Sequence, residues 1–268
     1  MLALIAVSAA LVVPMAAPPP NAPLPSGVAP IAQRLAATTQ SLRTAVDLWR
    51  TTEAPRQLRQ LRLWALHQQR LYLSLGLAPA RSGDAVVGRL PGELRANARD
   101  VLVARRALVR LTPPTRQPLS AFRTAPAQPA DGLLGYYREA QRRFGVPWQV
   151  LAAVNFVETA FGKVRSPSTA GAQGPMQFLP ATWSAYGLGG DIYDPRDSIL
   201  GAANYLRASG APGNLRRALY AYNHSTFYVD AVLAYARVIG HDLRAFYGFH
   251  AWHVFVRTPS GYRRITSP

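Results

Sequence analysis

The chain has 268 residues, 49% apolar and 16% charged, so it can bury a core and is not a disordered polymer. Its net charge is +17, carried almost wholly by Arg with Lys163 the single Lys, which points to polyanionic partners without naming them. Cysteine is absent, which excludes disulfides and Cys-based metal sites and leaves the compartment open.

Residues 2–17 form an uncharged apolar run, followed by a Pro-rich stretch. A helix needs about 20 apolar residues to cross a bilayer, so the run suits a signal-peptide core better than a permanent anchor. Ala16 and Ala17 sit near a plausible cut, but no Lys or Arg precedes the run, and an uncleaved N-terminal anchor is the alternative. Residues 1–27 are thus expected to be a signal peptide or anchor plus linker, with the rest of the chain secreted or held in the cell envelope.

From 28 to 111, apolar residues recur at spacings of three and four, which predicts three long helices as a small bundle or hairpin. No chemical motif lies there, and His67 reads as a surface histidine on a polar helix face. Residues 112–131 form a second Pro-rich linker and the expected domain boundary. Residues 1–128 hold 16 basic and 5 acidic side chains, net +11, against 14 and 8, net +6, for residues 129–268. The basic N-terminal half is therefore a candidate contact for anionic envelope polymers, with solvated helix faces as the plainer reading; no motif supports nucleic-acid binding.

The unit from 132 to 268 is predicted as a series of helices over 133–145, 147–162, 175–187, 194–210, 214–225 and 225–240. A loop rich in Ser, Gly and Pro spans 163–175, and the tail 251–265, with its Pro-Ser-Gly turn, reads as a short β-hairpin. The fold class expected is mainly α. Asp191, Asp194 and Asp197 cluster in a loop and helix start, where capping and turn formation explain them.

Glu158 is the candidate for chemistry, although taken alone it also reads as an ordinary Glu at a helix end, reaching solvent or capping a loop. It follows Val154 by four residues and Leu151 by seven, so it shares or borders the apolar side of its helix. Ionised carboxylates are rarely buried unpaired, no cation lies within a turn on its N-terminal side, and Lys163 stands beyond Gly162. Burial and the negative helix end both disfavour charge and raise its pKa, as a general acid near neutral pH requires.

Three motifs accompany it: Glu-Thr-Ala-Phe-Gly (158–162), Gly-Ala-Gln-Gly-Pro-Met-Gln-Phe (171–178) and Ala-Tyr-Asn (221–223). In this order they resemble the soluble lytic transglycosylase family, which shares its fold with goose-type lysozyme. The resemblance covers roughly residues 130–245 and looks like the secreted actinobacterial type. It departs at Thr159, where Ser is usual, at Pro175, where Leu is common, and at His224 and Ser225, where Ala-Gly is frequent. The resemblance implies a lysozyme-like helical catalytic domain acting on the glycan strands of peptidoglycan. Glu158 would protonate the bond between N-acetylmuramic acid and N-acetylglucosamine, then accept the proton of the muramyl C6 hydroxyl as an anhydro end forms. Tyr222 would orient Glu158 through its hydroxyl. Ser168, Gln177 and Asn223 would hydrogen-bond the glycan, Met176 and Phe161 would offer apolar contact to sugar faces, and no metal or cofactor is implied. The alternatives are a hydrolytic muramidase using Asp191 to position water, and a non-catalytic wall-binding protein.

Overall fold

The computed structural model describes residues 16–265, and they are mainly helical with one short C-terminal hairpin, as expected of this class. The leader or anchor expected at the N-terminus falls mostly on residues 1–15, outside the described residues. No helix among the described residues is long and apolar enough to cross a membrane. The first half consists of α1 (Val28–Thr52), α2 (Pro55–Leu77), α3 (Ala80–Gly88) and α4 (Gly92–Leu111). After a 3₁₀ turn, Leu119–Ala121, come α5 (Ala130–Phe144), α6 (Trp148–Thr159), α7 (Pro180–Tyr186) and α8 (Pro195–Ala208). Then follow α9 (Leu215–Tyr222), α10 (Thr226–His241), α11 (Leu243–Ala251), β1 (Phe255–Thr258) and β2 (Gly261–Arg264).

Local chemistry sets several of these boundaries. Proline opens α2, α7 and α8, where its missing N–H costs nothing and its fixed φ suits the first turn. The Asp194 side chain accepts the Asp197 N–H at 2.9 Å and caps α8. Gly145, at φ 73°, ends α5 in the left-handed region. The antiparallel hairpin pairs Phe255 with Arg264 and Thr258 with Gly261.

Three details differ from expectation. Residues 175–179 are a tight loop, so the short helix starts only at Pro180. Two helices, α3 and α11, stand where none was expected. His67 is buried, at 2% exposure, and burial followed by the charges of Arg34 and Arg70 lowers its pKa. The reason is that Trp64–Gln69 are buried on every side, so α2 runs through the interior rather than along the surface.

One apolar core runs through both halves of the chain. α4 lies along α10, α1 packs on α2 and α11, α5 on α8, and α6 on α10. Polar links reinforce this union. The Gln69 amide exchanges two hydrogen bonds with the His253 backbone, both 2.8 Å, and Arg105 on α4 donates to the Tyr262 hydroxyl on β2 at 2.9 Å. Both Pro-rich segments are tied down as well. Arg70 donates to the carbonyls of Pro20 (3.1 Å) and Ala22 (2.7 Å). Thr124 forms an antiparallel bridge with Val164, and Ala125 N–H donates to the Lys163 carbonyl at 2.9 Å, so the second segment is a strap beside the loop that follows α6.

Candidate active site

Glu158 occupies the last turn of α6, a helix whose residues Val150–Asn155 are all buried. Such a helix cannot rotate or slide without disrupting the core, so it presents the carboxyl from a fixed platform. Glu158 is partly accessible to solvent yet surrounded by protein, the situation of a group on the floor of a cleft. Burial pushes its pKa up to about 7, against a smaller downward pull from Tyr228.

The chain leaves α6 through three successive left-handed residues: Ala160 (φ 52°), Phe161 (φ 65°) and Gly162 (φ 79°). Two of them carry side chains, and such conformations cost about 1 kcal/mol or more each, so the surroundings must hold them. Thr159 does part of this. Its hydroxyl accepts the Gly162 N–H (2.8 Å) and donates to the Pro175 carbonyl (2.6 Å). Asn155, one turn earlier, donates to the same carbonyl (2.7 Å) and accepts from the Tyr137 hydroxyl (2.6 Å). Lys163 donates to the carbonyls of His250 and Trp252, tying the exit loop to the end of α11.

The second motif closes on itself. Gln173 and Phe178 exchange two backbone hydrogen bonds of 2.8 Å, which encloses Gly174–Gln177 in a tight loop. Gly174 has φ 73°, and a Cβ there would stand 2.0 Å from the Ile192 carbonyl oxygen, so only glycine fits. Gln177 is also left-handed, at φ 50°. The loop is thus held from two sides: Pro175 O by Asn155 and Thr159, and Met176 O by the Tyr222 hydroxyl at 2.7 Å.

That last bond corrects one expectation. Tyr222 donates to the Met176 carbonyl, not to Glu158. The phenol against the carboxyl is Tyr228, six residues on and 1% exposed. Its hydroxyl pulls the Glu158 pKa downward but makes no hydrogen bond of ordinary geometry among the described residues. The two rings lie parallel at 6.3 Å, and burial, reinforced by the Glu158 charge, holds both phenols well above their usual range. Tyr205, Phe178 and Trp183 continue this aromatic wall.

The remaining expected residues divide into two groups. Ser168 is exposed, with its hydroxyl accepting the N–H groups of Ala170 (3.2 Å) and Ala172 (3.0 Å), and it keeps a proton to donate. Gln177 holds the Gly174 carbonyl with its amide nitrogen (3.1 Å) and has its oxygen to offer, while Asn223, partly exposed after α9, has its side-chain amide free among the described residues. Met176 and Phe161 do not face a sugar. They are 0% and 1% exposed, and Phe161 stacks on Phe156 at 5.2 Å and meets Phe246 edge-on, so both belong to the apolar core. The acids that follow Glu158 in sequence are engaged in turns: Asp191 accepts the Tyr193 N–H (2.8 Å), and Asp197 accepts the Asp191 N–H (3.0 Å).

Sequence reading missed Tyr228, Asn155 and Tyr137. Asn155 left a signal, a lone amide in the apolar run Leu151–Val157; the other two look like ordinary helix aromatics until the fold assembles them.

Residues 135–240 match the family model described as the Transglycosylase SLT domain. The chain is 29% identical over 115 residues to a protein named membrane-bound lytic murein transglycosylase F from Thiobacillus denitrificans, a match covering 40% of this chain and 24% of the relative. The chain therefore spans about a quarter of that relative's length. No solved structure matches it.

Proposed function

We propose, from the match of residues 135–240 to the Transglycosylase SLT domain, that the protein acts as a soluble lytic transglycosylase and cleaves peptidoglycan strands without water, with Glu158 as its single acid and base. The observation that carries the reading is Glu158 itself: a carboxyl on a rigid buried helix, open to solvent on one side, with its pKa pushed up to about 7. That environment keeps a working fraction protonated at neutral pH.

In the proposed reaction Glu158 gives its proton to the oxygen joining N-acetylmuramic acid to N-acetylglucosamine. That bond breaks, and positive charge develops at the muramyl C1. The muramyl C6 hydroxyl attacks C1, and the Glu158 carboxylate takes the hydroxyl proton. A 1,6-anhydro end forms, Glu158 returns to its acid form, and no water enters. Tyr228 supplies a dipole against the carboxyl while it is charged. Tyr222 acts as a positioning residue through the Met176 carbonyl, and Ser168, Gln177 and Asn223 offer hydrogen bonds to acetamido and hydroxyl groups of the glycan.

A hydrolytic muramidase needs a second carboxylate to position water. Asp191, the candidate for that role, is exposed and accepts the Tyr193 N–H through one carboxylate oxygen in a turn. Action on peptidoglycan assigns the protein to the cell envelope or exterior, in keeping with the expected leader. Residues 132–268 are assigned the chemistry, with the helices of 28–111 as their structural cover. Mass spectrometry of muropeptides released by the full chain tests the reaction. Products lighter by one water than lysozyme products support the transglycosylase; reducing ends would make it a muramidase.

A further inference from the structure

Residues 101–130, 159–190 and 243–268 are among the long stretches of the chain that contain no Asp or Glu. The fold brings parts of all three to one face. Thr115 N–H donates to the Arg257 carbonyl at 2.8 Å, and Arg257 in turn donates to the Val109 carbonyl. Arg123 N–H donates to the Ser166 hydroxyl (2.7 Å), which donates to the Ala121 carbonyl (3.1 Å). Between the strap and the C-terminal hairpin lies an open groove of about 580 Å³, lined by Arg116, Gln117, Leu119, Thr258, Ser260 and Arg263.

Arg116 and Arg263 are exposed, and neither guanidinium makes an ion pair or hydrogen bond among the described residues. Farther along the strap Arg123 is exposed, and the exposed Arg165 reaches only the Pro126 carbonyl, at 3.3 Å. Elsewhere several exposed arginines do have acids: Arg196 has Glu139, Arg216 has Asp230, and Arg237 has Asp100. Guanidinium groups gathered without counter-charges repel one another, and a bound anion relieves that repulsion. The strip also reaches the loop that carries Ser168 of the candidate site. Ser166 belongs to the same loop as Ser168, and the strap from Arg116 to Arg123 spans at most about 25 Å.

We propose that this strip binds the peptide-stem carboxylates of the peptidoglycan strand held in the cleft. The inference rests on the glycan-cleaving reading above. The sugar backbone offers neutral hydroxyl and acetamido groups, and the anions of such a strand are the carboxylates of its peptides. A guanidinium fork matches a carboxylate geometrically, and a row of forks along one strand adds contacts that are individually weak. Continuity with the Ser168 loop of the candidate site favours a part of the substrate itself over a separate polymer.

The test uses the full chain carrying Glu158→Gln, so that binding is read without turnover, and insoluble peptidoglycan either intact or stripped of its peptides by an amidase. Co-sedimentation is expected to show at least ~5-fold tighter binding to the intact wall at low salt, with the difference lost near ~0.5 M salt. Adding Arg116→Ala, Arg123→Ala, Arg165→Ala and Arg263→Ala should abolish the preference and leave affinity for stripped glycan unchanged. A control lacking Arg56, Arg59, Arg81 and Arg99, all exposed on the N-terminal helices, removes the same charge and should keep the preference. Circular dichroism confirms that each variant folds. Equal binding to the two walls, an unaltered preference in the strip variant, or an equal loss in the control would each overturn the proposal. Stem-dependent binding that vanishes with the strip, beside a wild-type chain that cuts no glycan, would uphold the site and sink the catalytic reading.

Discussion

Glu158 combines two properties that conflict in an ordinary surface carboxylate: access to water and a strong preference for its proton. The folded protein holds that proton up to a pH of about 7, while the unfolded chain releases it near 4.5. A general acid must be protonated, so kcat/KM is expected to be level below pH ~6 and to fall about tenfold per unit above ~7. A rate that rises through that range would contradict the assignment. The same shift is a stability cost that grows as pH rises through the window and is complete above it. Glu158→Gln should therefore abolish cleavage and raise unfolding stability by about 2–3 kcal/mol at pH 8, with no gain at pH 4. Urea unfolding at the two pH values checks this, and an equal effect at both would refute it. The burial side of this reasoning was legible in the spacing of Leu151, Val154 and Glu158. The phenol that meets the carboxyl was not, because Tyr228 lies on α10, which only packing brings against α6.

At the scale of elements, the site depends on two loops holding strained backbone in register with a buried helix. Asn155 and Thr159 from α6 both donate to Pro175 O, so the catalytic helix and the Gly174–Gln177 loop move as one body. Gly174→Ala should cost about 3 kcal/mol or more, because the new Cβ meets the Ile192 carbonyl and φ stays positive. Cleavage should be lost with it; a variant with wild-type melting and muropeptide release would show that the loop tolerates displacement. The two unexpected helices have local reasons for escaping notice. α3 contains Gly83 and Gly88, which read as turn residues, but a Cβ at Gly83 would stand 2.7 Å from the Arg106 guanidinium and 2.9 Å from Leu102 on α4. α11 follows α10 after Asp242 alone, whose side chain caps the second helix by accepting the Arg244 N–H at 3.0 Å. A break of one residue leaves no linker signature in sequence.

At the scale of the molecule, the Pro-rich segment at 112–131 separates two helical runs in sequence while the core continues across them. α1, α2 and α4 cover α10 and α11, and Leu94, Ala98, Val101, Leu102, Ala104 and Ala107 of α4 are all buried. Each buried Leu or Val stabilises by roughly 1.5–3 kcal/mol, so a fragment of residues 129–268 loses more than a marginally stable domain can spare. That fragment is expected to aggregate or melt far below the full chain in a circular-dichroism scan; a cooperative melt within a few degrees of it would show two independent units. The segments around α6, α8 and α10 announced themselves in the sequence because helix periodicity, caps and the motifs around Glu158 are local properties, fixed by residues three to ten positions apart. Which phenol meets the carboxyl, which carbonyl Tyr222 holds, whether Phe161 faces sugar or core, and where unpaired arginines gather depend on residues tens of positions apart. Those relations arise only when packing selects one arrangement of helices, so the candidate acid and its motifs were readable from the chain and their assembly only from the fold.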